Sequence, residues 1–232
     1  MIKIRINKFV SGSGYCSRRQ ADELISAGRV FVNSKKANLG EFVDPKTDIV
    51  KVGRDIIKEN EQKEYFAFYK PKGIITSLSD EQGVSIKKFL PNGSKLFPVG
   101  RLDKDTEGLL ILTNDGEFGN LISHPSYNKE KIYQLQFDGK PTMIGKEGII
   151  RRFTKGIMYQ NKKYLVDSAK FVGPSIIELT IHEGRSRQIR IIAGKIGLEI
   201  KSLKRVAIGK LKLDDLKIRP GQYKKISIKN VI

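Results

Sequence analysis

The run from Phe97 to Ser123, FPVGRLDKDTEGLLILTNDGEFGNLIS, holds the carboxylate best placed for chemistry. Gly100 frees the backbone, Asp103 falls in a polar loop, and the apolar stretch Leu109 to Leu112 has the length of a buried strand. A carboxylate at the mouth of a sheet, with Arg101 two residues away, can be kept ionised by a neighbouring cation. A nucleophile or a general base needs that state. The same Asp103, Asp105 and Thr106 also suit turn or cap positions, so spacing by itself leaves both readings open.

A second cluster, GRSRQIRIIAGKIG, runs from Gly184 to Gly197. Its spacing predicts a helix from Arg185 to Lys195 ending at Ile196-Gly197, with Ile189, Ile192, Ala193 and Ile196 as a buried stripe. Arg187 and Arg190 would then share another face. From Arg185 through Lys210 there are eight Lys and Arg against one acid, Glu199. Clustered arginines suit phosphate contacts and fork-shaped pairing with a carboxylate, although a solvated basic face has the same composition. Other chemistries lack their residues. There is no phosphate-cradling GxxxxGK[ST], Gly12-Ser13-Gly14 lacks the third glycine of a dinucleotide site, and no GxSxG exists. One cysteine, Cys16, and two histidines, His124 and His182, give no disulfide or zinc pattern, so no metal centre is expected.

The elements that must position these residues fall into two segments. In the first, residues 1–57, Ser17-Arg18-Arg19-Gln20 carries a capping box, Ala21, Leu24 and Ile25 give a helical stripe, and Gly28 ends it. Val30-Phe31-Val32 and Asp48 to Val52 read as strands, with turns at Asn33 to Lys36 and Asp44-Pro45. Arg18 and Arg19 face the positive end of the helix dipole, which a bound phosphate would turn into an advantage. KENEQKE, residues 58–64, has no apolar anchor and reads as a linker. In residues 65–232, Tyr65 to Tyr69 is an apolar strand stopped at Lys70-Pro71-Lys72-Gly73. Lys131 to Phe137 alternates with Tyr133, Leu135 and Phe137 on one face, and Ile177, Leu179 and Ile181 alternate likewise. This irregular order of strands and helices predicts an α+β domain.

The formal net charge is +19, divided as +5 over residues 1–60 and +14 over residues 61–232. An excess of that size repels itself in the compact state and implies a polyanionic partner for both segments. Nucleic acid is expected over a membrane surface, because no basic amphipathic helix with a Trp or Phe/Leu face occurs. The start, MIKIRINKFV, has neither a continuous apolar core nor a small-residue cleavage site, so a cytoplasmic protein is expected.

GRLDKDTEGLLILTNDG at Gly100 resembles the signature of the RsuA-type pseudouridine synthases, enzymes that modify single uridines in ribosomal RNA. Lys70-Pro-Lys-Gly, KEKIY at Lys129, EGRSRQIR at Glu183 and the closing stretch with Arg205, Gly209 and Pro220-Gly221 follow in the family's order. Arg5, Ser17-Arg18-Arg19, Gly28-Arg29-Val30 and Val32-Asn33 resemble an S4-like RNA-binding module. The resemblance implies a small S4-like α/β domain followed by a mixed, mainly antiparallel sheet flanked by helices. It implies isomerisation of a uridine without cofactor, with Asp103 as catalytic carboxylate, Tyr133 stacking on the base and Arg190 pairing with the aspartate. RNA contacts are expected from Arg5, Lys8, Arg18, Arg19 and Arg29, and from Lys72, Arg101, Arg185, Arg187 and Gln188. The chain departs from the family at Ile191, where another arginine is common, and this bears on local RNA contacts. His124-Pro125-Ser126 looks more like members acting on large-subunit RNA. Folded ribosomal RNA in a pre-ribosomal particle is the expected partner of a monomer. A non-catalytic RNA-binding or assembly factor is the competing reading, and it gives no reason for Asp103, Tyr133 and Arg190 to match together.

Overall fold

Ser17 folds back on the helix it starts: its hydroxyl accepts from the Gln20 amide and the Gln20 side chain accepts from the Ser17 amide, closing the expected capping box. The helix Arg18–Ser26 then buries Ala21 and Ile25, while Leu24 is only partly covered. The computed structural model describes residues 3–58, 62–91, 93–138 and 144–232. They form two compact units, Met1–Glu64 with Asn114–Gly116, and Tyr65–Thr113 with Glu117–Ile232. Part of the expected linker, residues 59–61, lies outside the described residues.

In the first unit a second helix, Ile6–Gly12, buries Ile6, Phe9 and Val10 on one stripe. It packs with Arg18–Ser26 over a four-stranded antiparallel sheet ordered Lys35–Lys36, Val30–Val32, Val50–Val52, Asp55–Ile57. Asn33 and Ser34 make the two-residue hairpin with positive φ at both positions, 48° and 69°. The strand expected from Asp48 begins only at Val50. The Asp48 carboxylate is committed to the turn, accepting from the Asp44 amide and the Asn33 side chain, and these bonds hold it below the usual carboxylate range.

The second unit is built on a nine-stranded sheet. Its main path runs Ser168–Gly173, Ile176–Ile181, Lys131–Phe137, Ile200–Ile208, Glu107–Thr113, Tyr65–Lys70, Tyr223–Lys225. Every pairing is antiparallel except the short central one, where Lys204 meets Glu107 and Arg205 meets Gly108. Gly108 makes that meeting possible: a Cβ there would stand 2.3 Å from the Arg205 carbonyl oxygen and 2.7 Å from its nitrogen. Tyr133, Leu135, Phe137, Ile177, Leu179 and Ile181 point into one core, as alternation predicts. The helices Gly145–Lys155 and Gln188–Lys195 cover it with Ile149, Phe153, Ile189, Ile192 and Ala193. Ala67, Tyr69, Leu109 and Ile111 bury the other half of the sheet beneath the helix Gly116–Ser123.

One helix begins later than its pattern suggested. Arg187 lies in the left-handed region at φ 55°, so Arg185 to Arg187 form a turn and the helix starts at Gln188. Arg187 and Arg190 therefore do not share a helix face, and Ile196 caps the helix as a partly buried residue.

Candidate active site

Asp103 sits in the loop between the Phe97–Val99 and Glu107–Thr113 strands, and the surrounding backbone is clamped at several points. The Thr76 hydroxyl donates to the Leu102 carbonyl at 2.7 Å and accepts from the Leu102 amide at 3.2 Å. The Gly73 amide donates to the Lys104 carbonyl at 2.8 Å, and the Thr106 amide donates to the carbonyl of Asp103 itself. Leu102 is buried beside Tyr133 and Ile189, which sinks one side of the loop into the core. The Asp103 side chain remains 36% exposed, so a carboxylate is presented from a fixed backbone.

Arg190 reaches this loop from the helix Gln188–Lys195. Its Nη2 donates to the Asp105 carbonyl at 2.9 Å and to the Thr106 hydroxyl at 3.1 Å, and its Nε lies 3.9 Å from Asp103 Oδ2. At that separation the pair is a loose ion pair with no direct hydrogen bond, and Arg190 Nε has no hydrogen-bond partner among the described residues. Burial lowers the Arg190 pKa, helped by Arg187 and opposed by Asp103 and Asp105. The structure thus brings Arg190 to the aspartate and leaves Arg187 exposed.

Lys70 was not anticipated here. It closes the strand Tyr65–Lys70, is wholly buried, and donates through Nζ to the carbonyls of Pro71, Ile74 and Lys104. Burial pushes its pKa down to about 8, opposed by the charges of Asp103, Asp105 and Glu107. Strand parity carried the signal, since Phe66, Phe68 and Lys70 share one face and Phe68 is fully buried.

Tyr133 is 8% exposed, and its hydroxyl accepts from Arg205 Nη1 at 3.3 Å. Most of its ring is core, so it can offer an entering base only a small part of its surface. Lys131 donates to the carbonyls of Lys129 and His182, and burial followed by repulsion from Arg205 lowers its pKa to about 8. The site is therefore one partly exposed carboxylate with Arg190 on its loop and the buried Lys70 close enough to feel its charge, while Arg205 and Lys131 stand around Tyr133 on the neighbouring strands. Such a surround suits a polyanionic substrate and a nucleophile or base at Asp103.

The expected RNA contacts divide sharply. Lys72, Arg101, Arg185 and Arg187 are exposed, with Arg185 also paired to Glu183 and the Lys163 carbonyl. Gln188 is a correction: it is 3% exposed, its amide donates to the Leu165 carbonyl, and its oxygen accepts from the Arg185 amide. Both ends are engaged in starting the helix, and burial leaves the side chain almost no surface for RNA to meet. In the first unit Arg18, Arg19 and Arg29 are exposed and Lys8 is partly covered. Arg5 is exposed with its guanidinium 5.7 Å from the Phe42 ring centroid. Among the described residues no group of three or more His, Cys, Asp and Glu is placed to hold a metal, and no helix is long and apolar enough to cross a membrane.

Comparison with known proteins agrees with this geometry. Residues 64–194 match the RNA pseudouridylate synthase family, and residues 4–49 match the S4 domain. The ribosomal large subunit pseudouridine synthase B of Bacillus subtilis is 40% identical over 87% of this chain and 84% of its own. An uncharacterized RNA pseudouridine synthase of Aquifex aeolicus is 38% identical over 98% and 92%. A pseudouridylate synthase crystal structure superposes with a TM-score of 0.68 at 26% identity, covering 98% of both chains. Matches of this length to two modules in the same order place the chain in the RNA pseudouridylate synthase family, as an isomerase that joins an S4 domain to a pseudouridine synthase fold.

Proposed function

We propose that this enzyme converts one uridine of ribosomal RNA to pseudouridine, with large-subunit RNA favoured and Asp103 as the catalytic carboxylate. The observation that carries the reading is the convergence of Arg190 on the Asp103 loop: one guanidinium lies 3.9 Å from the carboxylate and bonds the loop at Asp105 and Thr106. The B. subtilis relative, named for the large ribosomal subunit, supports the choice of RNA.

In the reaction the bond between the sugar C1′ and base N1 breaks, the uracil turns, and C1′ bonds to C5. C5 loses its hydrogen as a proton and N1 gains one, so the product is an isomer and no oxidant enters. Asp103 either attacks the sugar or the base, or takes a proton from the sugar. Arg190 orients the carboxylate in each case. The target must leave its stack at a cost of a few kcal/mol. Stacking on the part of Tyr133 left open returns only a fraction of the about 1–3 kcal/mol that a fully available ring would supply.

Recognition falls to RNA shape and backbone. Arg18, Arg19 and Arg29 of residues 1–57 grip phosphates, and residues 58–64 link them to a catalytic domain of residues 65–232. The enzyme works as a cytoplasmic monomer on pre-ribosomal RNA. The test is tritium release from small- and large-subunit transcripts labelled at uridine C5. Release from the large-subunit transcript supports the proposal, and release confined to another RNA overturns it.

A further inference from the structure

Arg205 stands at the middle of the sheet with a buried charge and few partners. It is 2% exposed in the strand Ile200–Ile208 and forms no ion pair among the described residues. Its Nε donates to the Leu109 carbonyl at 2.7 Å, its Nη1 donates to the Tyr133 hydroxyl at 3.3 Å, and its Nη2 is buried without a hydrogen-bond partner. The guanidinium carbon lies 5.9 Å from the centre of the Tyr133 ring.

A buried guanidinium without a carboxylate is expensive, and an apolar chain of the same length would hold a sheet together at lower cost. The placement suggests what offsets it. Arg205 pairs with Tyr133 across one strand boundary and with Gly108 across the other. Gly108 and Leu109 lie in the strand that the Asp103 loop feeds. One side chain therefore ties the tyrosine to the root of the catalytic loop, and puts a fixed positive charge behind the ring.

We infer that Arg205 is a positioning residue: it holds Tyr133 at the base site and stabilises, through Tyr133, the negative charge that uracil carries when the C1′–N1 bond breaks. The inference rests on the reading of Tyr133 as the residue that meets the base. Fixed dipoles and charges aimed at developing charge are the strongest devices a site of this kind has.

The experiment compares Arg205→Met, Arg205→Lys, Tyr133→Phe and the double variants in single-turnover tritium release, with the active fraction counted by binding to target RNA. Arg205→Met is expected to lower the rate per active enzyme about thirtyfold, as losing one charged hydrogen bond would. Arg205→Lys should fall between, and RNA affinity should stay within about threefold. In the Tyr133→Phe background either Arg205 change should cost no more than about threefold, because the hydroxyl through which it acts is gone. A purely structural Arg205 gives a different result: fewer active molecules, an unchanged rate for each, and penalties that multiply. If Arg205→Met does not fold, Arg205→Lys with and without Tyr133→Phe decides the matter alone. The wild-type rate reports separately on the proposed reaction, so an inactive wild type overturns that reading and an unchanged variant overturns this one.

Discussion

Replacing Arg190 with lysine keeps a positive charge near Asp103 and removes the fork that holds its loop. The charge pair, at 3.9 Å and an effective dielectric of about 20, has a Coulomb energy of about 4 kcal/mol. Solvent at the Asp103 side chain, 36% exposed, brings this to about 2 kcal/mol. The two Nη2 bonds add a second contribution. The Asp105 carbonyl belongs to an exposed residue and can turn to water, whereas Thr106 is 2% exposed and cannot. That leaves one buried charged hydrogen bond, worth about 2 kcal/mol. Arg190→Lys should therefore slow catalysis about thirtyfold, and Arg190→Met, which loses both contributions, about a thousandfold. Single-turnover tritium release at saturating enzyme measures the rate, and filter binding measures RNA affinity. Affinity should change less than about threefold, because Arg190 faces the protein's own loop. A lysine variant with wild-type rate, or a loss wholly accounted for by weaker binding, would refute the argument.

Three further outcomes follow from the same geometry. Gly108→Ala should destabilise the second unit by about 3 kcal/mol in urea unfolding, combining positive-φ strain at 109° with the clash against Arg205, and an unchanged midpoint would contradict the parallel bridge. Ser17→Ala should cost the first unit about 1 kcal/mol through its lost cap, read as a lower unfolding midpoint. Lys131 titrates near 8 when folded and near 10.5 when unfolded, so below pH 8 both states hold the proton and the burial penalty is complete. Between those values the unfolded chain binds more protons, and stability rises with pH. The midpoint of wild type relative to Lys131→Met should accordingly climb between pH 8 and 10, and a constant difference would show that Lys131 is not strained by burial.

Periodicity and capping made much of the fold legible. Lys131–Phe137 and the buried set Ile177, Leu179, Ile181 follow period two, and Ser17 with Gln20 announces its helix, because each pattern is local. The turn at Arg187 was not legible, since nothing in Gly184-Arg185-Ser186-Arg187 signals a non-glycine left-handed residue. Of the site, the residues Asp103, Tyr133 and Arg190 came from resemblance to a family, since spacing left Asp103 as readily a turn residue. Lys70 was read as the start of a turn and Arg205 as part of the family's closing stretch, and neither was given a place in the site. Their parity with Phe68 and with Leu203 and Ala207 places them inside, where a charge is costly and therefore informative. Thr76 carried no sequence signal, because its bonds to Leu102 span 26 positions.

The central claim is that the Asp103 carboxylate performs the isomerisation, and Asp103→Asn tests it with a change of one group at nearly constant shape. Measured together, single-turnover tritium release should fall below detection while RNA affinity stays within about threefold of wild type. Release by Asp103→Asn at a substantial fraction of the wild-type rate would contradict the account and move the chemistry to another residue.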